Sequence, residues 1–90
     1  YLDIIKLLIE NGIDINKVNK GDCNALHIAS WNGHLEIVKL LIENGIDINK
    51  VEKDDWNALH IASMNGHLGI VKLLIENGID INKVDIDGWN

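Results

Sequence analysis

Residues 35–43 read Leu-Glu-Ile-Val-Lys-Leu-Leu-Ile-Glu, in which Glu36, Lys39 and Glu43 are the polar positions and all others are apolar. Apolar residues at helical spacing over so wide an arc predict a helix covered from more than one side. The pattern returns almost unchanged at residues 68–76 and again near the start, where Leu2, Ile4, Ile5, Leu7, Leu8 and Ile9 are apolar on nearly every side. That opening segment is expected to be sandwiched between neighbours rather than to lie on a surface. Each segment runs into Asn-Gly, at Asn11-Gly12, Asn44-Gly45 and Asn77-Gly78. Asn-Gly usually marks a hairpin, but after a helical pattern the Gly is better read as the left-handed residue that stops a helix. Asn32-Gly33 and Asn65-Gly66 read the same way.

Ahead of two of these segments stands a shorter one, Asn-Ala-Leu-His-Ile-Ala, beginning at Asn24 and at Asn57. An Asn at the N-cap accepts from otherwise unpaired backbone N–H groups and stabilises a helix start by about 1 kcal/mol over Ala. Leu26, Ile28 and Ala29, with Leu59, Ile61 and Ala62, then form helices too short to stand alone in water. Five helices are expected in all.

The elements recur with a fixed period. Residues 57–84 nearly copy residues 24–51 at an offset of 33, the second half of the unit occurs a third time in residues 1–18, and its opening returns as Asp87, Gly88, Trp89 and Asn90. One array is expected: half a unit at 1–18, full units at 19–51 and 52–84, and the start of another at 85–90. A 33-residue period carrying Ala-Leu-His-Ile-Ala, then Asn-Gly-His, then Ile-Val-Lys-Leu-Leu-Ile-Glu-Asn-Gly-Ile-Asp-Ile-Asn resembles the ankyrin repeat over the whole chain. The family's usual Thr-Pro before Leu-His reads Asn24-Ala25 and Asn57-Ala58 here.

The resemblance implies an all-α fold, an α-solenoid of helix–turn–helix pairs with projecting β-hairpin-like loops, or fingers. It also implies that the His of each Leu-His pair makes structural hydrogen bonds within and between repeats. In the finger loops the family's turn glycine comes second, as in Asp87-Gly88, whereas Gly21-Asp22 and Asp54-Asp55 place Asp there. Asp22 and Asp55 must therefore either accept the left-handed region or reshape the turn.

Composition narrows the function. The content is 47% hydrophobic and only 4% aromatic, which suits a small aliphatic core buried unit against unit. The net charge is −6 and every basic residue is Lys, which disfavours nucleic acid, since phosphate neutralisation and guanine readout call for a basic stripe and Arg. A protein partner with a basic or apolar surface fits better, and no membrane partner is expected. The single cysteine, Cys23, with no apolar run long enough to span a bilayer, fits an intracellular compartment, cytoplasmic in the first place, with a nucleus or a host cell's cytosol left open.

No cofactor, metal or catalytic residue is expected. Equivalent residues such as His27 and His60 lie about one repeat, roughly 10 Å, apart in such a stack, too far to share a zinc ion. Cys23, in a finger loop, is expected to be exposed rather than nucleophilic, and Ser30 and Ser63 occupy places where small residues pack.

The two full units differ at Asn19/Glu52, Gly21/Asp54, Cys23/Trp56, Trp31/Met64 and Glu36/Gly69. By the resemblance, three of these pairs fall on finger tips and the concave face of the first helix, where the family contacts its partners. The expected partner-binding residues are Lys20, Gly21, Cys23, Trp31, Asn32 and Lys53, together with Asp54, Trp56, Met64, Asn65, Asp87 and Trp89. The Trp side chains could instead pack beneath the fingers, or divide one face to each role. A second functional class stays open: apolar residues such as Ile4 and Leu8 at the start of the chain suit a structural module that associates head to tail.

Overall fold

A computed structural model describes residues 2–82. Its five helices are α1 (Leu2–Glu10), α2 (Ala25–Asn32), α3 (Leu35–Glu43), α4 (Ala58–Met64) and α5 (Leu68–Glu76), with no strand among the described residues. They form two layers: α2 packs on α4 in one, α1 on α3 and α3 on α5 in the other, and the pairs α2/α3 and α4/α5 join the layers. The all-helical solenoid that the resemblance implies is therefore what forms.

Local chemistry sets the helix ends. The side-chain oxygen of Asn24 accepts the N–H of His27 at 3.0 Å, while the N–H of Asn24 donates to Nδ1 of His27 at 2.9 Å. Asn57 and His60 make the same reciprocal pair at 3.0 and 3.2 Å. A His thus closes a capping box usually closed by Glu or Gln. At the other end, Asn44 and Asn77 donate their side-chain amides to the carbonyls four residues back, each at 2.8 Å, and Gly45 and Gly78 follow at φ 85° and 86°. The Asn-Gly pairs are helix stops, as expected.

The fingers hang on one side-chain acceptor each. Asn19 Oδ1 accepts the N–H groups of Gly21 and Cys23 at 2.9 and 3.1 Å, and Glu52 Oε1 accepts those of Asp54 and Trp56 at 2.7 and 3.0 Å. Asp22 and Asp55 take the left-handed region at φ 62° and 65°, so the turn keeps its shape and the Asp residues accept the conformation. Adjacent fingers are joined by the Lys53 N–H donating to the Gly21 carbonyl at 2.9 Å. Asparagines tie the units further: Asn16 Oδ1 accepts the Asp47 N–H, and Asn49 Oδ1 the Asp80 N–H, each at 2.7 Å.

The core runs through Leu26, Ala29, Val38, Leu41, Ala58, Ala62, Ile70 and Leu74. Small residues at Ala29, Ala58 and Ala62 let α2 and α4 approach closely. Position in the stack, not sequence, sets each side chain's burial. Leu8, Leu41 and Leu74 are equivalent in the repeat, yet they are 45%, 2% and 0% exposed. Two sequence expectations are corrected on this ground. Among the described residues helix α1 is covered chiefly by α3, from one side, and buries no residue. Ser30 is buried as expected, but Ser63, at the end of the described stack, is exposed.

Candidate functional site

The end of α2 carries Trp31, 53% exposed, and the end of α4 carries Met64, 44% exposed. Between them rises the finger at residues 52–56, whose Trp56 is half-buried with its ring centroid 6.2 Å from that of His60 and tilted by 42°. These elements enclose a surface cleft of about 440 Å³. Ile28 and Trp31 line it from one unit and Trp56, Ile61 and Met64 from the next, with Cys23, His27, Asn32, Glu52 and Asp54 completing it. A second hollow of about 630 Å³ lies beside α1 and is lined by Ile5, Leu8 and Ile13. Those are scaffold positions, whose equivalents in the next unit are buried core.

Trp31 is held from its backbone. His67, just ahead of α5, places Nε2 3.2 Å from the Trp31 carbonyl, so the third unit's loop steadies the last turn of α2. Beneath the cleft, His27 Nδ1 already accepts from Asn24, which leaves the proton on Nε2, and Nε2 donates to the Lys50 carbonyl at 2.8 Å. Burial pushes the His27 imidazole below its ordinary value of 6.5, so it is neutral at neutral pH. The expected bonds within the unit are thus met, since Asn24 and Lys50 both belong to the unit 19–51, while the bond between units is made by another histidine, His67 to Trp31; His27 supplies position rather than charge.

The structure gathers six of the predicted contact residues at the cleft: Cys23, Trp31, Asn32, Asp54, Trp56 and Met64. Four others stand off it. Lys20 and Lys53 are exposed on the fingers, Gly21 is bound by its carbonyl to the next finger, and Asn65 gives its amide to the Ile61 carbonyl at 2.9 Å. Asn32 likewise donates to the Ile28 carbonyl at 2.9 Å, so its amide also serves its own helix. Asp87 and Trp89 lie outside the described residues.

Four lining residues were absent from the sequence prediction. Ile28, Ile61 and His27 have the same identity in both units, so their place at a cleft has no local signature. Glu52 did have one, because Asn19/Glu52 is among the five positions that differ. Cys23 corrects an expectation: the thiol is half-buried rather than exposed. Burial, and then the charges of Glu52, Asp22 and Asp54, push its pKa up, which holds it as the thiol and makes it a poor nucleophile.

Among the described residues, no group of three or more His, Cys, Asp and Glu side chains is placed to hold a metal ion, and no helix is long and apolar enough to cross a membrane. A search among curated proteins returns no match. The family model of ankyrin repeats matches residues 1–85, in three copies. With the two helical layers, the helix-stopping glycines and the finger loops in place, the chain belongs to the ankyrin-repeat family.

Proposed function

We propose that this chain is a protein–protein recognition module whose contact surface is the cleft between α2 and the finger at 52–56, together with the neighbouring finger tips. Ankyrin repeats are in general protein-interaction modules. One observation carries the finer reading. Of the five positions at which the two units differ, four pairs contribute to the cleft: Glu52, Asp54, Cys23 with Trp56, and Trp31 with Met64. The variation between the units thus concentrates around one cleft, and Trp is among the residue types enriched at interface hot spots. The same reading takes residues 1–90 as one array, places it in an intracellular compartment and assigns it no catalysis.

Capture of protein partners by the wild-type chain and by a Trp31→Ala/Trp56→Ala variant tests the proposal, with far-UV circular dichroism confirming the fold of both. Loss of specific partners in the variant is the expected result. Unchanged binding by the folded variant refutes it.

The second reading, head-to-tail self-association, draws on the apolar side chains at both ends of the described stack, Ile4 and Leu7 on α1 and Leu68 and Ile75 on α5. Such faces suit a further unit or a second copy. Sedimentation across a concentration series decides it, because a monomer at all concentrations excludes association.

A further inference from the structure

We infer that the cleft receives a basic side chain of a partner polypeptide, Lys or Arg, together with an apolar neighbour in the same segment. The inference rests on the recognition reading above and names the chemistry of what is recognised. The lining is a mixture that few side chains satisfy at once. Ile28, Ile61 and Met64 offer apolar surface, Trp31 and Trp56 offer aromatic faces, and Glu52 and Asp54 offer carboxylates. Aromatic faces attract cations through the ring quadrupole. A basic side chain carries both parts needed, an aliphatic stem for the apolar wall and a charged head for the rings and carboxylates.

The charge in the cleft is of one sign. None of its lining residues is Lys, and its one His is held neutral by burial, with its Nδ1 accepting the Asn24 N–H. The charges that act on the Cys23 thiol, at the same wall, are all carboxylates: Glu52, Asp22 and Asp54. An acidic segment would be repelled, and a purely apolar one would strip water from two carboxylates with nothing to replace it. Glu52 uses Oε1 to hold its finger, and a carboxylate has acceptor capacity on its second oxygen as well.

The preceding finger lacks this pair of carboxylates, whereas the sequence repeats it one unit later as Asp85 and Asp87. In the preceding finger the equivalents of Glu52 and Asp54 are Asn19 and Gly21, both neutral. The two carboxylates therefore stand where Trp31 and Trp56 converge and not at the matching place one unit earlier. The volume, about 440 Å³, lies at the lower end of the range for ligand pockets, which suits one or two side chains rather than a folded domain.

Selection from a displayed random-peptide library on the wild-type protein tests the inference, with counter-selection on the folded Trp31→Ala/Trp56→Ala variant. Peptides that depend on the two Trp residues are expected to share a Lys or Arg beside an apolar residue. Replacing that basic residue by Leu, or using a Glu52→Gln/Asp54→Asn protein, is expected to weaken binding about tenfold. The amide replacements keep the oxygen that Glu52 offers its finger, so the fold is retained, as an unchanged melting temperature will verify. Trp-dependent peptides without a basic residue, or with affinity unmoved by Glu52→Gln/Asp54→Asn, overturn the basic side chain while leaving the recognition surface standing. Absence of any Trp-dependent peptide overturns both.

Discussion

Ile28 and Ile61 occupy the same place in an identical heptapeptide, residues 24–30 and 57–63, so replacing each by Ala changes local helix preference equally. Their tertiary settings differ: Ile28 is 50% exposed and Ile61 is 4% exposed, because α2 covers α4 from the preceding side. Fully burying an Ile side chain stabilises by about 1.5–3 kcal/mol, and truncation in a packed interior adds a cavity term, so Ile61→Ala should cost about 3 kcal/mol. At Ile28 about half of the transfer contribution is present, and the surface is open, so no cavity forms and the cost should be about 1 kcal/mol. The predicted difference of about 2 kcal/mol corresponds to roughly 8–16 °C between the two melting temperatures for a domain of this size. Urea unfolding followed by circular dichroism at 222 nm gives both values with one slope if the transitions are two-state. Should Ile61→Ala be too damaged to fold, the Ile→Val pair serves, with expected costs of about 1 and 0.4 kcal/mol. Equal losses at the two positions, or a larger loss at Ile28, would refute the claim that stacking rather than local sequence sets burial here.

Gly33 and Gly66 both sit in the left-handed region, at φ 75° and 73°, so Ala at either carries about 1–2 kcal/mol of backbone strain. A Cβ on Gly33 would also stand 2.7 Å from Cε1 of His67, whereas a Cβ on Gly66 meets nothing within 4 Å. Gly33→Ala is therefore expected to lose about 1 kcal/mol more than Gly66→Ala, the worth of the His67–Trp31 hydrogen bond that the ring must break to move aside. A double-mutant cycle with His67→Ala should remove that excess.

Because burial lowers the pKa of His27 from 6.5, the unfolded chain takes up a proton that the folded chain resists. The stability this group confers is complete above about pH 6.5 and declines as the pH falls below it. Urea midpoints from pH 8 to 5 should fall more steeply for the wild type than for His27→Gln, which can still close the capping box and does not titrate.

Gly69 lies in the first turn of α5, and an added Cβ would stand 3.6 Å from Leu35, an ordinary contact. Gly69→Ala should raise stability by less than the roughly 0.5–1 kcal/mol of a helix-interior site, visible as a higher melting temperature. Ser30 is fully buried with a hydroxyl that finds no partner among the described residues, and Ser30→Ala is expected to be neutral or stabilising in the same assay.

Much of this architecture is legible in one dimension because its determinants are local. The Asn-Gly stops, the Asn caps and the helical apolar spacing each act within about one turn, and the 33-residue period repeats them in register. The cleft is legible in part for a related reason. Four of the five positions that differ between the near-identical units line it, so the differences at Trp31/Met64 and Cys23/Trp56 point toward it. The difference at Asn19/Glu52 could have been read in the same way. What hid it was its double role: both residues hold a finger through a side-chain oxygen, and only Glu52 also brings charge to the cleft.

By itself, then, the amino-acid sequence determined the helices, their ends and their order, since these follow from contacts a few residues apart. Tertiary structure alone decided which copy of each residue is core. Leu8 and Leu74 share one sequence environment, and Ile28 and Ile61 another, yet burial depends on whether a helix lies across the layer, which no local pattern records. Stacking likewise brought Ile28 and Trp31 opposite Trp56 and Met64, and so made one cleft from residues belonging to two units.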